Sequence, residues 1–169
     1  VLIPEDPFAL DGDKGLVAWL ADRLARRHHA VIVVAEGAGQ ELIDDDSEGD
    51  EKDASGNVRL LDVGAFLKRR LSQALDERGI AHAMKYIDPG YMIRSAPANP
   101  NDSIFASNLA RHAVHAGMSG RTGLLVGLWH GEFTHVPLQA VLDRRKAVDA
   151  EGDLWLAVLE STGQPAQWA

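Results

Sequence analysis

Apolar positions along this chain fall into two patterns: rows spaced three and four residues apart, and short unbroken runs. Together they predict helices interleaved with buried strands. Val1–Ile3 is a short apolar strand end that stops at Pro4. From Lys14 to His28, the residues Leu16, Leu20 and Leu24 recur at helical spacing with Val17 on the same face. This predicts a helix with Asp13 as N-cap and Arg26–Arg27 in the last turn, where cations suit the helix dipole. His29–Ala35 (HAVIVVA) is β-branched and apolar on both faces, as in a strand covered by helices on both sides. Glu36-Gly37-Ala38-Gly39 then ends it sharply.

Leu61–Arg78 predicts a second helix, with Val63, Leu67 and Leu71 in one row, Phe66 beside it and Gly79 as the residue that stops it. Ala81–Ile87 reads as a weakly alternating strand. Asp88–Asn101 carries three prolines and is expected to be irregular. A helix capped by Asp102 or Ser103 follows to about Ala116, then a strand at Thr122–Trp129 with Phe133–Val136 pairing beside it. Pro137–Arg145 predicts a helix with proline in its first turn, and Asp153–Ser161 a final short one. Alternating strands and helices imply an α/β fold, a three-layer sandwich with a mostly parallel sheet.

At 169 residues the length suits one domain. There is no cysteine, so neither a disulfide framework nor a thiolate metal site is available, which fits a reducing, cytoplasmic compartment. No apolar run approaches the ~20 residues that span a bilayer, and no signal-peptide pattern is present, so no membrane partner is expected. The first residue is Val1 rather than Met, inside an apolar run, which reads as a fragment or processed piece. Lys plus Arg is 17 and Asp plus Glu is 25, a net charge of −8. Residues 41–53 alone hold eight acidic residues and one lysine, net −7, leaving the rest near balance. The acidity therefore describes one solvated loop, and the charge pattern argues against a nucleic-acid partner.

Two stretches carry candidate chemistry. In VIVVAEGAG, the glycines let backbone approach a ligand at the carboxyl end of a strand, and Glu36 presents a carboxylate there. A dinucleotide fingerprint fails, because position 42 is Leu and an acidic loop follows where a helix should begin. A structural turn and a ligand site both remain open. In KYIDPGYMIRSAPANPND, Lys85, Tyr91 and Arg94 supply cations and a hydroxyl suited to a phosphate; the plain alternative is a packed connection whose arginine pairs with a carboxylate. His112 and His115, or His130, Glu132 and His135, match no recognised metal spacing, and no metal site is expected. The four tryptophans are dispersed, which suits packing rather than a stacking platform.

The strings VIVVAEGAGQEL, LLDVGAFLKRRL, KYIDPGYMIRSAPANPNDS, ARHAVHAGMSGRTGLLVG and LWLAVLESTGQP resemble the C-terminal half of a 6-phosphofructokinase. The likeness is to the long-chain group, with its plant ATP-dependent and pyrophosphate-dependent members. It runs nearly end to end, apart from an acidic loop insertion at about 43–57. The resemblance implies a phosphofructokinase-like C-terminal domain over residues 1–169, acting on fructose 6-phosphate at its 1-hydroxyl. It places Glu36 against the sugar and wraps the tetrad Tyr91, Met92, Ile93 and Arg94 around the sugar phosphate, with Arg94 at the 6-phosphate. Lys85, nine positions earlier, corresponds to a basic residue that serves the neighbouring subunit's site. Short-chain bacterial members carry His where this chain has Tyr91.

The family's glycine-rich donor site, its catalytic Asp in a TIDND-like motif and its Met-Gly-Arg substrate motif have no counterpart in these residues. The resemblance thus implies a half that holds the acceptor, with no catalytic base of its own, while ATP or pyrophosphate and its Mg2+ bind in the other half. A homo-oligomer is expected of the family's full-length proteins. The alternative is a non-catalytic sugar-phosphate-binding or regulatory module; a structural domain without a ligand is the third reading.

Overall fold

The computed structural model describes residues 1–43, 60–142 and 146–168. They fall into two compact units, Val1–Asp88 with Ala147–Ala169, and Pro89–Lys146. The acidic insertion lies from residue 44 onward outside the described residues, as does the end of the helix predicted at Pro137–Arg145.

In the first unit, helix α1 spans Leu16–Arg27 and helix α2 Val63–Glu77. Leu16, Val17 and Leu20 from α1 meet Phe66, Leu71 and Leu75 from α2 in one apolar core. Asp13 does not cap α1. Gly15 holds the N-cap position without a side-chain bond, and the Leu16 and Val17 amides donate to the carbonyls of Ala9 and Leu10 (2.9 and 3.1 Å). The preceding loop therefore satisfies the free amides that a carboxylate would otherwise take. Helix α2 is capped by Asp62, whose Oδ1 accepts from the Ala65 amide at 2.9 Å, and it ends at Gly79 with φ +65°.

The segment predicted as the strand His29–Ala35 is extended but forms no ladder. One parallel bridge joins Leu2 to Val34, with the Leu2 amide on the Val33 carbonyl and the Ala35 amide on the Leu2 carbonyl (2.8 and 2.9 Å). Burial alternates along it: Ala30, Ile32 and Val34 pack on the helical core, while Val31 and Val33 are 79% and 59% exposed. Ala81–Ile87 is likewise extended outside any sheet, with Met84 against the same core. A ladder needs a neighbour with free amides and carbonyls at matching register, and only Val1–Ile3 supplies part of one. Helix α6, Asp153–Thr162, completes this unit and stops at Gly163, φ +65°. Gln164 Nε2 donates to the Val1 carbonyl at 3.0 Å.

The second unit departs most from expectation. Asp88–Asn101 is not irregular throughout: a short helix, α3, occupies Gly90–Ser95, and α4 runs from Pro100 to Met118. The prolines stand where helices tolerate them, Pro89 at the N-cap of α3 and Pro100 at the first turn of α4. Asn99, rather than Asp102 or Ser103, caps α4, its side chain accepting from the Asp102 amide at 2.9 Å. Strands β1 (Leu124–Trp129) and β2 (Glu132–Pro137) pair antiparallel, Leu124 opposite Pro137 and Trp129 opposite Glu132. The two-residue turn His130-Gly131 has positive φ at both positions (49° and 86°), the geometry that matches strand twist. Helix α5, Leu138–Leu142, follows directly.

The chain is thus mixed helix and strand. Among the described residues the sheet that forms is this two-stranded antiparallel hairpin. No helix among them is long and apolar enough to cross a membrane.

Candidate functional site

Glu36 stands at the turn that ends the extended segment, in the first unit. The Ala38 amide closes the turn on the Ala35 carbonyl at 2.9 Å, and Gly39 adopts φ +66°. A Cβ on Gly39 would come within 2.8 Å of the Phe8 ring, so glycine is required there both by backbone and by packing. The glycines therefore build the turn, and the exposed carboxylate of Glu36 is left without a hydrogen-bond or ion-pair partner among the described residues. Of the two readings left open for VIVVAEGAG, the structural turn is what these contacts show.

Gln40 supports this turn from beneath. Its Nε2 donates to the Glu36 carbonyl at 2.7 Å and to the Leu61 carbonyl at 3.1 Å. The Leu61 amide donates back to Gln40 Oε1 at 2.9 Å. One amide side chain thus joins the Glu36 turn to the chain just before α2, across the acidic segment.

Lys85 lies in the same unit, exposed on its extended segment. The next residue, Tyr86, is anchored. Its hydroxyl donates to Asp62 Oδ1 at 3.0 Å, and its ring lies over Gly64, where a Cβ would come within 2.2 Å. The Asp62 carboxyl is held below its usual range by the Ala65 amide first and the Tyr86 hydroxyl second. Tyr86 is pushed up, chiefly because its proton is shared with Asp62, with a smaller contribution from the negative charges of Asp62, Asp88 and Glu36.

Tyr91, Met92, Ile93 and Arg94 form the body of α3 in the second unit, and all four are exposed, Tyr91 at 82%. The Ile93 amide donates to the Pro89 carbonyl at 2.8 Å, and Ser95 Oγ donates to the carbonyls of Tyr91 and Met92 (3.1 Å each), which closes this single turn. The Arg94 guanidinium sits over the Tyr91 ring, 5.7 Å from its centre. It pairs with no carboxylate among the described residues. A cation held over an aromatic face, with its donors unengaged, can accept an anionic ligand.

The histidines have other employment. His112 stacks on Phe133 (4.6 Å between ring centres), and His135 Nδ1 meets the Arg121 guanidinium at 3.2 Å. Among the described residues no three His, Asp or Glu side chains converge as a metal ion requires, so these residues do not fit Mg2+.

Sequence reasoning did not single out Gln40, Asp62 or Tyr86. The available signals were a glutamine four residues after Glu36, an aspartate just before a helical apolar row, and a glycine inside that helix's first turn.

The chain is similar over almost all its length to curated proteins of one kind. It is 49% identical over 172 residues to the ATP-dependent 6-phosphofructokinase of Amycolatopsis methanolica, covering 99% of this chain and 38% of the relative. Against the ATP-dependent 6-phosphofructokinase of Borreliella burgdorferi it is 43% identical, covering 97% and 38%. ATP-dependent 6-phosphofructokinase 7 of Arabidopsis thaliana is 41% identical, with 98% and 34% covered. No family model matches the chain. The chain is homologous to the 6-phosphofructokinases, and it spans somewhat more than a third of the length of these relatives.

Proposed function

We propose that this chain is the acceptor-binding, C-terminal half of a 6-phosphofructokinase, spanning residues 1–169, and that it binds fructose 6-phosphate without turning it over. The observation that carries the reading is the exposed Arg94 guanidinium, held over Tyr91 and free of any carboxylate among the described residues, within a chain 49% identical to a phosphofructokinase. Arg94 forms charge-assisted hydrogen bonds to the 6-phosphate. Tyr91 fixes the guanidinium plane and offers its hydroxyl, Met92 and Ile93 border the sugar phosphate, and Glu36 accepts hydrogen bonds from sugar hydroxyls. Lys85 serves the corresponding site of a neighbouring subunit in a homo-oligomer.

In the complete enzyme, the 1-hydroxyl oxygen attacks the terminal phosphorus of the donor, the bond to the leaving diphosphate breaks, and the hydroxyl proton passes to a base. ATP is the donor favoured, because the relatives are named ATP-dependent. Donor, Mg2+ and base belong to the remainder of the enzyme, since neither the motifs for them nor a cation cluster occurs among the described residues. The uncovered outward row of Val31 and Val33 supports the three-layer parallel sandwich as the arrangement in the whole enzyme. A cytoplasmic location fits a chain without cysteine.

Calorimetric titration tests this reading. Fructose 6-phosphate binds the chain saturably, and Arg94→Ala weakens binding about 10- to 100-fold, the loss expected for charge-assisted bonds worth about 1.5–3 kcal/mol. With ATP and Mg2+ added, the purified chain forms no fructose 1,6-bisphosphate. Unchanged affinity in the variant, or product from the chain alone, overturns the proposal.

A further inference from the structure

We infer that Gln40 is a positioning residue for Glu36: it ties the Glu36 turn to the N-terminal approach of α2, and so holds the sugar-contacting carboxylate in place independently of the acidic segment between them. The inference rests on the reading of Glu36 as a sugar-binding group. It goes beyond that reading by giving a task to a side chain that touches no ligand.

The geometry allows Gln40 little else. Both hydrogens of its Nε2 are committed, one to the Glu36 carbonyl and one to the Leu61 carbonyl, while its Oε1 takes the Leu61 amide. The bond to Glu36 fixes the peptide beside which the sugar-contacting carboxylate projects. The pair of bonds to Leu61 fixes that peptide to a rigid reference, because Asp62, the next residue, caps α2 and α2 is buried through Phe66, Leu67, Leu71 and Leu75. Packing of Ala38, Leu42 and Ile43 on the core seats residues 38–43, but the Glu36 carbonyl itself is held by Gln40, and the chain beyond enters a stretch where eight acidic residues lie between 41 and 53. A segment of such charge repels itself and makes a poor anchor for a carboxylate that must be placed to within a fraction of an ångström.

The same helix start also receives Tyr86 through Asp62 Oδ1, next to Lys85. Two of the residues assigned to substrate are therefore referred to one frame, Glu36 by Gln40 and Lys85 by its neighbour.

Two variants separate positioning from simple support. Gln40→Ala removes all three bonds. Gln40→Glu is near-isosteric and keeps an acceptor for the Leu61 amide, but has no hydrogen to donate to the Glu36 carbonyl. Each is made in the wild-type chain and in Glu36→Ala, and fructose 6-phosphate is titrated calorimetrically into these four chains and their two parents, with Gln73→Ala as a control that loses an exposed amide bond to Glu77 on α2. The expected result is a loss of about fivefold to tenfold in affinity for both Gln40 variants, on the scale of one or two hydrogen bonds. The positioning part of that loss vanishes in the Glu36→Ala background, because there is no carboxylate left to place. Gln73→Ala binds like the parent chain. Equal losses in both backgrounds, or none in either, overturn the inference.

Amide hydrogen exchange on the same samples keeps the tie testable on its own. Exchange at the Leu61 amide rises at least about tenfold in Gln40→Ala and stays low in Gln40→Glu, while amides in the middle of α2 are unchanged. If the parent chain does not bind fructose 6-phosphate, the functional reading of Glu36 falls and this inference falls with it. The exchange data then decide whether the tie survives as a structural one: unaltered exchange at Leu61 in Gln40→Ala excludes even that.

Discussion

Asp62 carries two obligations with one oxygen, capping α2 through the Ala65 amide and accepting the Tyr86 hydroxyl. Both bonds favour the ionised acid, and the second favours the protonated phenol. The contribution of the lowered Asp62 group is therefore present above the ordinary carboxylate range and is lost as pH falls through its folded-state value. That of the raised Tyr86 group is present below the ordinary phenol range and is lost as pH rises through its folded-state value. In a Tyr91→Phe background Tyr86 is the sole tyrosine, and its ionisation can be followed by phenolate absorbance. Adding Asp62→Asn is expected to move that titration down towards the ordinary phenol value; an unmoved curve contradicts the pairing. Gly64→Ala makes the same point by sterics. Its new methyl group meets the Tyr86 ring, which must swing away and lose a bond worth about 1 kcal/mol, while alanine in a helix regains about 0.5–1 kcal/mol over glycine. Stability in urea is expected to change by less than about 1 kcal/mol, and the phenol titration to fall as in Asp62→Asn. Little of this was legible in advance, because a side chain that bonds across 24 residues leaves no periodic mark. Arg94 is legible in the sequence because its string supplies cations and a hydroxyl suited to a phosphate, whereas the sugar role of Glu36 is implied only by the resemblance.

Among the elements, helices followed their apolar rows closely and extended segments did not. Leu16, Leu20, Leu67 and Leu71 lie in the core as their spacing predicts, since a helix satisfies its own backbone and needs only one covered face. HAVIVVA has the composition of a buried strand, yet a strand is defined by its neighbours, and only a single parallel bridge is available to it. The proline-rich stretch failed as a prediction for the opposite reason. Prolines were taken as breaks, whereas Pro89 and Pro100 stand at helix starts, where a missing amide hydrogen costs nothing. The hairpin turn at His130-Gly131 was readable in principle from its glycine and the flanking apolar runs, but its positive φ at a histidine has no strong sequence signal. Burial then ranks substitutions. Leu75, 1% exposed, sits in the core of α2, and Leu75→Ala is expected to cost about 2–5 kcal/mol in urea unfolding. Leu154, 71% exposed on α6, should cost less than about 0.5 kcal/mol when changed to Ala. Similar losses at both positions would contradict the assigned core.

At the scale of the molecule, charge and apolar surface are unevenly distributed. Nearly all the net charge of −8 resides in residues 41–53, so the remainder of the sequence is almost balanced, and local cations such as Arg94 are not offset by a general excess of acid. The proposal of an acceptor sugar-phosphate site rests on the likeness to 6-phosphofructokinases and on an Arg94 guanidinium held over Tyr91 with no carboxylate partner among the described residues. If the proposal holds, this chain recognises the 6-phosphate, and does so through Arg94. The most direct measurement is a paired calorimetric titration of fructose 6-phosphate and of fructose into the chain and into Arg94→Ala. Saturable binding of the phosphorylated sugar alone, with the preference abolished in the variant, is the predicted result. Equal binding of the two sugars, or a preference that survives without Arg94, would contradict it.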